Sequence, residues 1–118
     1  MLPEAAERIV TACVNALQGQ GLRISKVILY GSQARGTAGA GSDIDLLVVS
    51  PDFAGMPPWR QWEALGKATA AVRQPIEALA CTPEEIEFQK GNRASFLGYV
   101  LSQPEIVEYI VEPPAALD

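Results

Sequence analysis

GSQARGTAGAGSDIDLLVV, residues 31–49, sets glycines, hydroxyls and one arginine directly ahead of two aspartates and a strongly apolar run. Glycines followed by carboxylates are poor material for a core. They suit a place where backbone comes close to an anion and a metal is held. The run DIDLLVVS reads as a strand, and because strand side chains alternate, Asp43 and Asp45 fall on one face while Ile44, Leu46 and Val48 fall on the other. Two residues apart, their Cα atoms lie about 7 Å from each other, close enough to close on one hard cation or to share a metal pair. The polar face turns apolar at Leu47 and Val49, so both acids belong to the beginning of the strand, beside the glycine turn.

Upstream, RISKVILY (residues 23–30) is β-branched and apolar and predicts a strand that stops at Gly31. Where a strand gives way to a helical turn, free backbone N–H groups and the Ser32 hydroxyl form an anion nest, and Arg35 reaches the same anion one turn later. The anion matching nest, arginine and paired carboxylates is a metal-bound triphosphate. Two familiar phosphate motifs fail: Thr37 stands where a Walker loop needs lysine, and GTAGAG lacks the G-x-G-x-x-G order of a dinucleotide fold.

The rest of the chain predicts a small α/β domain. Ala6, Val10, Cys13, Val14 and Leu17 recur at helical spacing behind Pro3, and Gly19 and Gly21 end that pattern. PDFAGMPP reads as a loop. Pro58 opens a second helix with the expected stripe Trp62, Leu65, Thr69 and Val72, Gly66 allowing a neighbour to approach. PIEALAC predicts a third strand, TPEE a capping box for a third helix, ASFLGYVLSQ a fourth helix with Phe96, Leu97, Val100 and Leu101 on its apolar side, and EIVEYIV an edge strand. The expectation is one domain over residues 1–112 with a tail over 113–118, built on a sheet of three to four strands with helices packed on it.

Composition narrows the chemistry. With 118 residues and a net charge of −5, the chain lacks the basic surplus of a phosphate-gripping nucleic-acid binder. No apolar run approaches the ~20 residues of a membrane span, and the expected location is the cytoplasm. Cys13 and Cys81 read as buried free thiols. Histidine is absent, which removes every imidazole base and ligand.

GSQARGTAGAGSDIDLLV resembles the signature of the polymerase-β-type nucleotidyltransferase superfamily: G-S-x-A-R-G, a short spacer, then S-D-I-D-L. Within it, the chain is most similar to the minimal nucleotidyltransferases. The resemblance implies a small mixed sheet of the polymerase-β palm type. It implies that Gly31 and Ser32 hold the β- and γ-phosphates of a nucleoside triphosphate such as ATP, with Arg35 and Ser42 in the same nucleotide-binding signature. Asp43 and Asp45 would ligate Mg²⁺ (or Mn²⁺). Glu77, in PIEALAC, stands where the family carries a third metal-site carboxylate that activates the acceptor hydroxyl, most often an Asp. Larger relatives bind the acceptor with a further helical domain, for which the chain after Glu77 leaves no room. The minimal members pair instead with a helical HEPN protein in toxin–antitoxin modules and can adenylylate it, so a hetero-oligomer is expected. A small aminoglycoside-like acceptor, or a non-catalytic module that neutralises its partner by covering it, are the alternatives. Phe96, Tyr99 and Tyr109 are the rings expected to be shared between core and partner surface.

Overall fold

The computed structural model describes residues 3–31, 34 and 43–111. Helix α1 (Pro3–Gln18) leads into strand β1 (Lys26–Tyr30) and strand β2 (Ile44–Val49). A single 3₁₀ turn (Pro51–Phe53) and helix α2 (Pro58–Ala70) connect to strand β3 (Ile76–Cys81). Two short helices, α3 (Pro83–Gln89) and α4 (Phe96–Leu101), precede strand β4 (Val107–Ile110). The strands form one sheet in the order β3-β2-β1-β4. Strand β1 runs antiparallel to both β2 and β4, whereas β2 and β3 are parallel. The α/β class and the small mixed sheet are therefore as expected, and β4 is an edge strand. Among the described residues no helix is long and apolar enough to cross a membrane.

Strand alternation divides the core in two. Val27 and Leu29 of β1 and Ile44, Leu46 and Val48 of β2 face α1 and α2, packing with Val10, Cys13, Leu17, Leu65 and Ala68. The whole expected stripe of α1 is buried there. On the opposite face Ile28, Tyr30, Leu47, Val49 and Cys81 meet Ile86 of α3 and Val100 of α4. Both cysteines are free and buried, and burial raises the Cys13 thiol and pushes Cys81 up to about 12.

Several expectations need correction. Helix α2 buries Ala64, Leu65 and Ala68, while Trp62 is 68% exposed. This helix lies against α1 and against β3, whose inward residues include Ala78 and Ala80. A close seat of small residues has no volume for an indole, so the contact stripe is rotated away from it. Gly66 faces open space, with no heavy atom within 4 Å of where a Cβ would stand, and admits no neighbour. In the segment read as a loop, Phe53 is only 2% exposed. Its turn is held by the buried Ser50 hydroxyl, which accepts the Asp52 N–H and donates to the Arg23 carbonyl. Strand β1 begins three residues later than expected, at Lys26, because Arg23 is engaged by Asp52 through its backbone N–H and its guanidinium. The capping box forms as read: Thr82 Oγ1 accepts the Glu85 N–H and Glu85 accepts the Thr82 N–H. Of the fourth helix, only six residues are helical, and Phe96 on its expected apolar side is 55% exposed.

Candidate functional site

The site residues are placed by register. Asp45 of β2 stands opposite Tyr30 of β1 on one side and opposite Glu77 of β3 on the other. All three share strand parity with Leu47, Leu79 and Cys81, so they lie on the face covered by α3 and α4. Side chains opposite one another on neighbouring strands have Cβ atoms about 5 Å apart, which brings the two carboxylates side by side. Tyr30 records this field: burial first, then the charges of Asp45 and Glu77, push its phenol up to about 12. Its hydroxyl stays protonated at neutral pH beside the pair.

Gly31 completes the row. Its φ is +75°, a region that side chains disfavour, and a Cβ built there would stand 2.3 Å from Asp45 Oδ2. The carboxylate thus rests against the bare Cα of the residue that ends β1. The sequence asks Gly31 for its backbone N–H; close approach to Asp45 is a second and independent reason for glycine. Asp43 lies one residue ahead of β2 and is exposed, as is Glu77. Ser32, Arg35 and Ser42 lie outside the described residues. Of the expected site, therefore, Gly31, Asp45 and Glu77 are gathered, and Asp43 stands at the mouth.

Among the described residues no three acidic or thiol side chains converge into a preformed metal cage. The donor chemistry nevertheless fits Mg²⁺ or Mn²⁺. Every ligand on offer is a carboxylate oxygen, there is no histidine, and both thiols are buried. Two adjacent carboxylates repel each other, and a hard cation relieves that repulsion.

Neither Tyr30 nor Phe96 is a candidate from the sequence, yet the structure sets Tyr30 opposite Asp45 and Phe96 against Tyr30. Tyr30 was detectable, since it directly precedes Gly31 at the end of a strand that must pair with DIDLLVV. Phe96 carried no such signal. Its ring meets Tyr30 edge-on, centroids 6.1 Å apart and planes at 74°. A cavity of about 580 Å³ lined by Gln18, Leu22, Arg23, Ile24, Pro51 and Val111 opens at the other end of the sheet, where β1 begins. Among the described residues no carboxylate lines it, and it is separate from the row described above.

Residues 10–110 match the family model described as "Nucleotidyltransferase domain". No curated protein matches the chain significantly. Among solved structures, the chain is similar to the crystal structure of a proposed nucleotidyltransferase from Sulfolobus solfataricus, with TM-score 0.59 and 16% identity over 88% of this chain and 84% of that one. At that identity the likeness speaks for the fold. A second similar structure, a toxin–antitoxin with AMP-PNP, has TM-score 0.48 and 23% identity over 59% of this chain and 55% of the other, too partial a likeness to argue from. The family match covers residues 10–110 of the 118, well over half of the chain: the chain belongs to the nucleotidyltransferase-domain family.

Proposed function

We propose that this chain transfers AMP from ATP to a hydroxyl group on a helical, HEPN-type partner protein, as the antitoxin of a toxin–antitoxin pair. The observation that carries nucleotidyl transfer is the register pair Asp45–Glu77 with Gly31 packed against it. Asp43 and Asp45, with Glu77, are the residues that would hold Mg²⁺ (or Mn²⁺). When bound, the metal supplies positive charge to the attacking and leaving oxygens at the α-phosphate. Gly31 and Ser32 would take the β- and γ-phosphates, with Arg35 and Ser42 as further nucleotide-binding residues. Glu77 accepts the proton of the acceptor hydroxyl. The acceptor oxygen then forms its bond to the α-phosphorus as the bond to the β-phosphate bridge oxygen breaks, and pyrophosphate leaves in line.

Two features support a protein acceptor. Glu77 is exposed at the open edge of the sheet, so a bulky acceptor reaches it. The short helices on the same face carry Phe88, 83% exposed, and Tyr99, 55% exposed, the kind of aromatic anchors that interfaces use. ATP–Mg²⁺ added to the chain together with the product of its neighbouring gene should add the mass of AMP, once or in multiples, to that partner. Glu77→Gln should keep nucleotide binding and slow transfer by about 10² or more. A stable complex without modification would favour neutralisation by binding. Transfer to a small hydroxyl compound, with no complex, would favour the small-molecule acceptor.

A further inference from the structure

We propose that Phe96 is the platform on which the nucleobase of the triphosphate stacks, an inference that rests on the nucleotidyl-transfer reading above. Phe96 is the first residue of α4, and more than half of it is open to solvent although its edge-to-face partner Tyr30 is 8% exposed. Through Tyr30, the ring is one residue removed from Asp45 in the row that ends at Glu77. The ring is thus left open to solvent one side chain away from the carboxylate row, where a ligand held by that row can meet it.

The ring is also held in place. Ser95 Oγ accepts the Gly98 N–H at 2.9 Å and donates to the Asn92 carbonyl at 3.0 Å. The Asn92 side chain accepts the Ala94 N–H at 3.2 Å. At Gly98 a Cβ would lie 1.9 Å from the Asn92 carbonyl oxygen, so α4 is seated directly on the preceding turn, and Val100 behind it is fully buried. Phe96 cannot fold inward without unseating that helix. A rigid exposed ring is a preorganised stacking surface.

Reaction geometry selects the base as its occupant. In-line transfer aligns acceptor oxygen, α-phosphorus and leaving oxygen, here running from the Glu77 side toward Gly31. The ribose and base hang from the remaining ester oxygen and must leave that line. One side is closed by the sheet. Among the described residues the open side is the face on which α4 presents Phe96. A phenyl ring carries no donor or acceptor with which to read a base edge, so it favours a nucleobase over bare phosphate, and large purine faces over pyrimidines, without choosing adenine from guanine.

The test compares Mg²⁺-dependent binding of ATP, GTP, CTP and inorganic tripolyphosphate by calorimetry. The intact chain should bind the purine triphosphates most tightly. Phe96→Ala should weaken ATP and GTP roughly five- to a hundredfold and leave tripolyphosphate unchanged, which also shows that the variant is folded. Phe96→Trp should retain the preference, and Phe96→Leu, apolar but not aromatic, should lose most of it. Unchanged ATP affinity in Phe96→Ala overturns the proposal while nucleotidyl transfer stands, and if only transfer to the acceptor falls, the ring serves the acceptor instead. Failure of the intact chain to bind either ATP or tripolyphosphate with Mg²⁺ overturns both readings.

Discussion

The two faces of the sheet are covered unequally. One carries α1 and α2, of 16 and 13 residues; the other carries α3 and α4, of seven and six. At 1.5 Å rise per residue, the long helices run about 20–24 Å and match a six-residue strand of about 20 Å, whereas the short ones reach about 10 Å. The consequence is visible along β2. Ile44, Leu46 and Val48 are buried throughout on the first face. On the second, Leu47 and Val49 are buried, but Asp45 at the strand's start is only half-covered. Among the described residues, the candidate site is thus the part of one face that the short helices do not reach, where carboxylates stay near water while their strand is anchored by a full core behind it.

The sharpest way to break this comparison is at the open end. Asp43→Asn with Asp45→Asn should lower transfer on the order of a thousandfold or more, the scale of several kcal/mol of charge stabilisation, and abolish the Mg²⁺–ATP-dependent rise in melting temperature. The melting temperature without ligand should barely move. Equal ligand stabilisation in EDTA, or in the double variant, would remove the metal site from this end of the sheet.

Next in size is the closed face. Leu17→Ala, at a fully buried position of α1, should destabilise by about 2–5 kcal/mol in urea unfolding. Gly98→Ala on the short-helix face should cost about 1–3 kcal/mol through the clash at Asn92, and should weaken ATP before tripolyphosphate by shifting Phe96. Equal stability losses with no change in ATP binding would mean that the thin face is as uniform as the thick one.

The smallest effect lies at the far end of the sheet. Arg23 hydrogen-bonds Asp52 from both its guanidinium and its backbone N–H and holds the carboxyl below its ordinary value. A lowered folded-state value stabilises above the unfolded one and is lost as pH falls through the folded one. The wild-type advantage over Asp52→Asn should therefore be small at neutral pH and shrink below about pH 4. Both groups are open to solvent, so salt should reduce it further. A difference that persists into acid would assign the effect to something other than this pair.

Local chemistry made most of the elements legible before any tertiary contact was considered. Pro3 and the 3.6-residue spacing from Ala6 to Leu17 specify α1, Thr82 and Glu85 specify the start of α3, and DIDLLVV specifies both β2 and the aspartate pair of the candidate site. These signals act between residues a few positions apart, which is why sequence carries them. What they could not carry was register. That Asp45 stands between Tyr30 and Glu77 depends on β3 lying parallel to β2 while β1 lies antiparallel, contacts between residues some 15 and 32 positions apart. Nor could periodicity rank Trp62 below Ala64, since the winner is set by the volume β3 and α1 leave to α2. The unequal covering of the two faces, and with it the exposure of Glu77 and Phe96 beside a buried Tyr30, follows from how far each helix reaches along the sheet. Residue types determined what chemistry this chain could do; only packing decided where water, and therefore substrate, would meet it.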